Sequence, residues 1–147
     1  MGILIAIEGI DGSGKGTQTK RLQRALSNRG LRVFADTFPQ YNTTFHGALV
    51  GEYLNGKFGA MNEVHPFLAA MLFAGDRREY RPMLMAGLER FDVVLLDRYV
   101  MSNVGHQCGK FTDEKMRGLL MQRILRLEYD INRMPVPEVQ FLLDLPV

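Results

Sequence analysis

The segment Gly9-Ile10-Asp11-Gly12-Ser13-Gly14-Lys15-Gly16-Thr17 joins an apolar run, Ile3 to Ile7, to a polar stretch carrying Leu22 and Leu26 on one helical face. Glycines at this density let successive backbone N–H groups turn inward around an anion. The start of the following helix adds its positive end, worth roughly 0.3 to 1 kcal/mol for an exposed anion. Lys15 supplies a full charge. A glycine-rich turn that binds nothing is the plain alternative, but it would not require strand, glycines, lysine and helix in one register. We therefore read Gly9, Asp11, Gly12, Ser13, Gly14, Lys15, Gly16 and Thr17 as a cradle for the phosphates of a nucleoside triphosphate. The usual pattern places Ser or Thr directly after the lysine to hold magnesium. Here that position is Gly16 and the hydroxyl comes one residue later, so Thr17 is a candidate Mg2+ contact and the ion is expected to be held through water.

The rest of the chain alternates strand and helix. Ile3 to Ile7 is too uniformly apolar for a half-exposed strand and suits one buried on both faces. The first helix should end at Gly30, where a left-handed cap is expected, and Leu31 to Ala35 reads as the second strand. A helix from Phe45 to Leu54 is closed by the Asn55-Gly56 turn. A longer helix begins after His65-Pro66, carries Ala70, Met71, Ala74, Leu84 and Leu88 at helical spacing, and is expected to kink or divide at Pro82. Val93 to Leu96 is a buried strand. Thr112 and Asp113 can cap a helix with the stripe Met116, Leu120, Ile124, Leu127 and Ile131. Val139 to Leu143 reads as a last buried strand, leaving through Asp144-Leu145-Pro146. This order predicts an α/β fold: a parallel sheet with helices on both faces and ligands at the carboxyl ends of its strands.

Composition sets limits. The 147 residues are 46% hydrophobic, enough to fill a core without a staple, and 18 basic against 16 acidic residues give no field that argues for a nucleic-acid or membrane surface. No run approaches the roughly 20 apolar residues that cross a bilayer. The one cysteine, Cys108, cannot form an internal bridge and reads as a buried, inert thiol in a cytoplasmic protein. Met71, Met83, Met85, Met116 and Met121 read as core filler, and neither His46 nor His65 has a partner at metal-ligand spacing.

Asp97-Arg98-Tyr99 ends the strand Val93 to Leu96, where a carboxylate would lie beside the phosphate loop and could organise magnesium. Taken alone, an acid and a base there would be a surface turn. Ser102, Asn103, His106 and Gln107 follow at helical spacing, and Phe73 and Arg77 stand four apart on the preceding helix. An aromatic face, an arginine fork and an amide are what a planar pyrimidine asks for.

Lys-Gly-Thr is also how adenylate kinases write this loop, so the loop by itself implies a nucleotide kinase without naming the nucleotide. The remaining motifs narrow it. Glu8 to Lys15, Phe38-Pro39, Leu72-Phe73-Ala74 with Asp76-Arg77, Asp97-Arg98-Tyr99 with Ser102-Asn103, and Leu127-Glu128-Tyr129 before Pro135 resemble, in order, the motifs of thymidylate kinases. That resemblance covers essentially the whole chain. It implies a three-layer P-loop NTPase fold, a single nucleotide kinase domain over residues 1–147, and transfer of the terminal phosphoryl of ATP to dTMP with Mg2+. By the same resemblance, Lys15, Arg98 and Asp11 are catalytic, Asp97 holds the metal through water, and Arg98 grips the acceptor phosphate. Phe73 would stack on thymine, Arg77 would donate to its carbonyl at position 4, and Asn103 would contact the base edge. Phe38, Tyr41, Ser102, His106 and Gln107 complete the expected dTMP set. A cytoplasmic homodimer is implied as well.

Three features depart from that pattern. Gln40 stands where relatives often carry arginine, and His106 where a tyrosine is common. Gly12 and Ser13 leave the phosphate loop without an arginine, which implies an arginine-bearing lid after Val147, so the fold is expected to be incomplete at its C-terminus with Val139 to Leu143 an exposed edge. Another nucleoside monophosphate or deoxynucleoside kinase, or a non-catalytic nucleotide-binding module, stays open as an alternative.

Overall fold

The computed structural model describes residues 1–145; Pro146, which the sequence reading places in the exit of the last strand, lies outside the described residues. The chain gathers into two compact units, taken here in turn. The first comprises Met1–Phe38, Pro82–Tyr99 and the described residues from Pro135; the second comprises Pro39–Arg81 and Val100–Met134.

The first unit holds a four-stranded parallel sheet of β1 (Ile3–Gly9), β2 (Val33–Thr37), β3 (Val93–Asp97) and β4 (Val139–Leu143), in the order β2-β3-β1-β4. Ile7 of β1 and Thr37 of β2 both pair with Asp97, so the carboxylate predicted to serve the phosphate loop ends the central strand. Val94, Leu95 and Leu96 are fully buried, as their unbroken apolar run requires. Strand β4 pairs with β1 from Ile5↔Val139 to Gly9↔Leu143 but is mostly exposed. The buried strand read from its apolar run is therefore corrected, whereas the expected exposed edge is found: among the described residues β4 is a sheet edge, and Phe141 and Leu142 show 46% and 71% exposure.

Helix α1 (Lys15–Ser27) leaves the phosphate loop, and Gly30 after it takes a left-handed φ of 85°, as a helix stop at that residue requires. Strand β2 starts two residues later than its apolar run suggested. Arg32 is held instead by Asp92, its backbone N–H donating to the carboxylate at 2.8 Å and its guanidinium forking onto the same group.

The second unit is helical. It contains α2 (Phe45–Leu54), the Pro66–Arg81 portion of α3 (Pro66–Arg90), α4 (Val100–Cys108), α5 (Glu114–Leu125) and a π-helical turn, Arg126–Ile131. Thr44 caps α2 by accepting from Gly47 N, and Asp113 caps α5 by accepting from Met116 N. Ala70, Val104, Cys108, Leu120 and Ile124 form the core, which places the cysteine where the sequence put it, and burial raises its thiol pKa.

Of the two outcomes expected at Pro82, division does not occur: helix α3 runs unbroken through it. Two further expectations fail. Met71, Met83, Met116 and Met121 are exposed rather than core. Ala70, Ala74, Leu84 and Leu88 hold the inward face of α3 at i, i+4 spacing, and Met71 and Met83 sit one residue off it. On α5 the stripe narrows to Leu120 and Ile124. Ile131, at 60% exposure, falls out of phase because the π-turn adds a residue to the helical repeat.

Candidate functional site

In the first unit the glycine-rich loop of residues 9–17 is shaped by its backbone. Gly12 and Gly14 adopt φ of 77° and 85°, a region costing an L side chain roughly 1 to 2 kcal/mol. Gly14 is the N-cap of α1 and offers no side chain to its N–H groups, so the loop keeps those donors for an external acceptor. Lys15 folds back over the loop and donates from Nζ to the carbonyl oxygen of Ile10 at 2.7 Å. Burial lowers its pKa first and the neighbouring Arg98 lowers it further, with Asp97, Asp11 and Glu8 pulling the other way. An ammonium kept this dry gains most from an incoming polyanion.

Asp97 stands over the start of α1, where a Cβ added at Gly16 would lie 3.5 Å from its Oδ2. Burial raises its pKa, against the opposing influence of Lys15 and Arg98. Arg98 carries a left-handed φ of 70°, uncommon for a non-glycine residue and typical of a backbone bent for a purpose. Its backbone N–H donates to Ile7 O at 2.9 Å, and its guanidinium pairs with Asp11. The bend is locked from the next residue: Tyr99 N donates to the buried Glu8 carboxylate at 3.0 Å, and Tyr99 OH donates to Pro135 O at 2.9 Å. The structure thus brings Asp11, Lys15, Asp97 and Arg98 together. Thr17 is exposed and lines a shallow depression with Lys20, Arg21 and Arg24, whose charges disfavour a cation. Phe38 is buried, its ring 6.1 Å from that of Tyr99.

The second unit contains a buried polar cluster. Arg77, 2% exposed, forks onto the fully buried Glu128: Nε lies 3.1 Å from both carboxylate oxygens, and a second nitrogen bonds Oε1. The amide nitrogen of Asn103 donates to Glu128 Oε1 at 3.2 Å and to Ala70 O at 3.1 Å. Its carbonyl oxygen is buried without a hydrogen-bond partner among the described residues, as is that of Gln107 one turn along α4. Ser13 Oγ in the glycine-rich loop is the third such atom; buried polar atoms of this kind take a hydrogen bond from water or a ligand. Phe73 is partly buried and braced edge-on by Tyr53, at 6.3 Å and 88°; Tyr53 OH accepts from Lys110 Nζ at 2.6 Å.

Arg77 and Asn103, picked out separately in the sequence, therefore meet on Glu128, which was given no role there. Asp76, also given none, is fully buried, accepts from Gln40 N at 2.9 Å and from the Thr44 hydroxyl, and has its pKa raised by burial. It fixes the turn that leads into α2. Tyr41 is 44% exposed and lies over Gly51 of α2. Ser102 is partly buried and His106 exposed on α4.

Against known proteins, the thymidylate kinase family model matches residues 7–147. The chain belongs to the thymidylate kinase family. It is 33% identical to the thymidylate kinase of Mycobacterium tuberculosis over 141 residues, covering 96% of this chain and 65% of that protein. It is also 33% identical to that of Bifidobacterium longum over 147 residues, covering 98% and 67%. The solved thymidylate kinase of Candida albicans superposes with a TM-score of 0.73 at 30% identity, covering 99% of this chain and 64% of that one. The chain thus spans about two thirds of the length of the family members it matches. The parallel sheet with helices is the α/β fold of solved thymidylate kinases.

Proposed function

We propose that this protein transfers the terminal phosphoryl group of ATP to the 5'-phosphate of dTMP, giving ADP and dTDP. The observation that carries the reading is the buried Arg77–Glu128–Asn103 cluster, in a chain whose family match extends over residues 7–147. It offers directed donors and an unmet acceptor, the pattern that the edge of a pyrimidine with carbonyls and a ring N–H demands.

In the first unit, Lys15 and the loop N–H groups take the phosphates of ATP, and Arg98 takes the acceptor phosphate. The acceptor oxygen is already ionised, so no general base is needed; the protein's work is to position the groups and to neutralise charge spreading over the transferring phosphoryl. Asp11 orients Arg98. Mg2+ takes one or two protein carboxylates and binds chiefly to substrate phosphates. Asp97 is the carboxylate that would hold it, through water, and the ion would offset phosphate charge. In the second unit, Phe73 stacks on the base, Arg77 donates to its carbonyl at position 4 and Asn103 meets its ring N–H. Tyr41, Ser102, His106 and Gln107 complete the nucleotide contacts of the second unit, and Phe38, packed on Tyr99 in the first, belongs to the dTMP set by the same resemblance.

No helix among the described residues is long and apolar enough to cross a membrane. The cytoplasm and a homodimer accompany the reading through family resemblance. Calorimetric titration with dTMP, dUMP, dCMP and dAMP tests the acceptor: dTMP binds tightest, with dUMP weaker by the roughly 1 to 3 kcal/mol that one methyl group contributes. Tighter binding of dAMP or dCMP would overturn it.

A further inference from the structure

We propose that Glu128 is a positioning residue that fixes the polarity of the Asn103 amide, and through it the choice between bases that carry a ring N–H and bases that do not. The inference rests on the reading of the second unit as a base-recognition cluster.

The two ends of the Asn103 amide meet different surroundings. Asn103 is 2% exposed, and the groups facing its nitrogen are Ala70 O at 3.1 Å and Glu128 Oε1 at 3.2 Å. Both are acceptors with no hydrogen to give. Turning the amide over would set its carbonyl oxygen against a main-chain carbonyl and a carboxylate, and bury both NH2 hydrogens elsewhere. The orientation is therefore dictated chemically: nitrogen toward Glu128, oxygen away from it. That oxygen has no hydrogen-bond partner among the described residues, and the group it can receive must be a donor. Thymine and uracil offer N3–H. Cytosine offers a bare N3, and its exocyclic amine would face the guanidinium that donates to a carbonyl at the same edge.

Glu128 controls both halves of this code, since the same carboxylate orients Arg77 through Nε and a second guanidinium nitrogen. Its reach depends on the π-turn Arg126–Ile131, where Glu128 itself sits and whose exit is tied down by Met134 N donating to Glu128 O at 3.0 Å and Asn132 Nδ2 donating to Ala74 O at 3.3 Å. π-turns are rare and gather at functional positions. A glutamine at 128 could still accept from Arg77, but its NH2 could donate to a reversed Asn103, leaving Ala70 O alone to oppose the reversal and the code weakened.

The test compares dTMP with 5-methyl-dCMP, which match in size and differ at positions 3 and 4. Dissociation constants are measured by calorimetry on the wild-type chain and on Glu128→Gln, with melting curves for both. The wild type should prefer dTMP by about a hundredfold or more, because a site built on directed hydrogen bonds rejects the wrong pattern strongly. In Glu128→Gln that ratio should fall by about tenfold or more. A purely structural role for Glu128 would weaken both ligands equally and leave the ratio unchanged, which would overturn the proposal. A wild type that binds neither nucleotide would instead overturn the base-recognition reading beneath it. Should Glu128→Gln fail to fold, the Asn103 side-chain NH2 hydrogens of the wild type decide by NMR. Slow exchange in the free protein supports donation to Ala70 O and Glu128; rapid exchange of both overturns it.

Discussion

Lys15 holds its ammonium 2.7 Å from the carbonyl oxygen of Ile10, five residues back across the phosphate loop. Without nucleotide, the lysine satisfies part of its hydrogen bonding on the loop it serves, and it is buried while doing so. Phosphate would meet a charge already positioned, which lowers the ordering cost of binding.

Replacing Lys15 with alanine should therefore remove most phosphoryl transfer in protein expressed from the full reading frame, by a factor of about 100 or more in kcat. Steady-state assays of ADP formation in the presence of dTMP check this. Near-normal turnover would contradict the assignment of the loop.

The same residue sets an alkaline limit. Burial and Arg98 lower its pKa below the ordinary 10.5, so the charged form that phosphate needs is lost sooner than for a solvent-exposed lysine. ATP affinity should fall as pH rises through that depressed value, and Lys15→Arg should not show the break. Calorimetric titrations across the alkaline range measure it. A break at or above 10.5 would show that the ammonium is not desolvated.

Gly14 tests the loop's backbone apart from its contacts. No atom lies within 4 Å of a Cβ added there, yet φ is 85°. Gly14→Ala should cost roughly 1 to 2 kcal/mol through conformation, and Gly14→Asn less, because asparagine tolerates the left-handed region. Chemical denaturation of the three proteins gives the comparison; equal stability of alanine and glycine forms would mean the left-handed turn is not kept.

Arg32 and Asp92 predict an acid limb. The hydrogen bonds from Arg32 hold the Asp92 carboxyl at about 2, below its usual 3.8. A depressed carboxylate contributes stability above its unfolded pKa, and that contribution disappears as pH falls from about 3.8 to about 2. The melting temperature of wild type should exceed that of Asp92→Asn at neutral pH, with the gap closing through this window. A gap that persists at pH 2 would show that the clasp acts by packing.

Much of this was legible in the sequence because it rests on local rules. Ile3 to Ile7, the glycines before Lys15 and the Asn55-Gly56 turn depend on near neighbours, and the observed elements follow them within a residue or two. What escaped was long-range. Glu128 is 51 residues from Arg77, and in a helical stripe between Leu127 and Ile131 it reads as a charge on the solvated side. Its one signal was its place in the Leu127-Glu128-Tyr129 motif, which carried the resemblance without assigning the glutamate a role. The π-turn that places it has no sequence period of its own, and the same turn moved Ile131 out to solvent. The exposed methionines failed similarly: helical spacing gives the angle between residues, not which side meets the core.

The most direct test of the phosphoryl transfer proposed here is 31P NMR of ATP, dTMP and Mg2+ with protein expressed from the full reading frame. The account predicts that the 5'-phosphate signal of dTMP is replaced by the paired signals of dTDP as ATP becomes ADP. Conversion of ATP to ADP and inorganic phosphate with dTMP unchanged, or transfer to AMP or CMP in preference to dTMP, would contradict it.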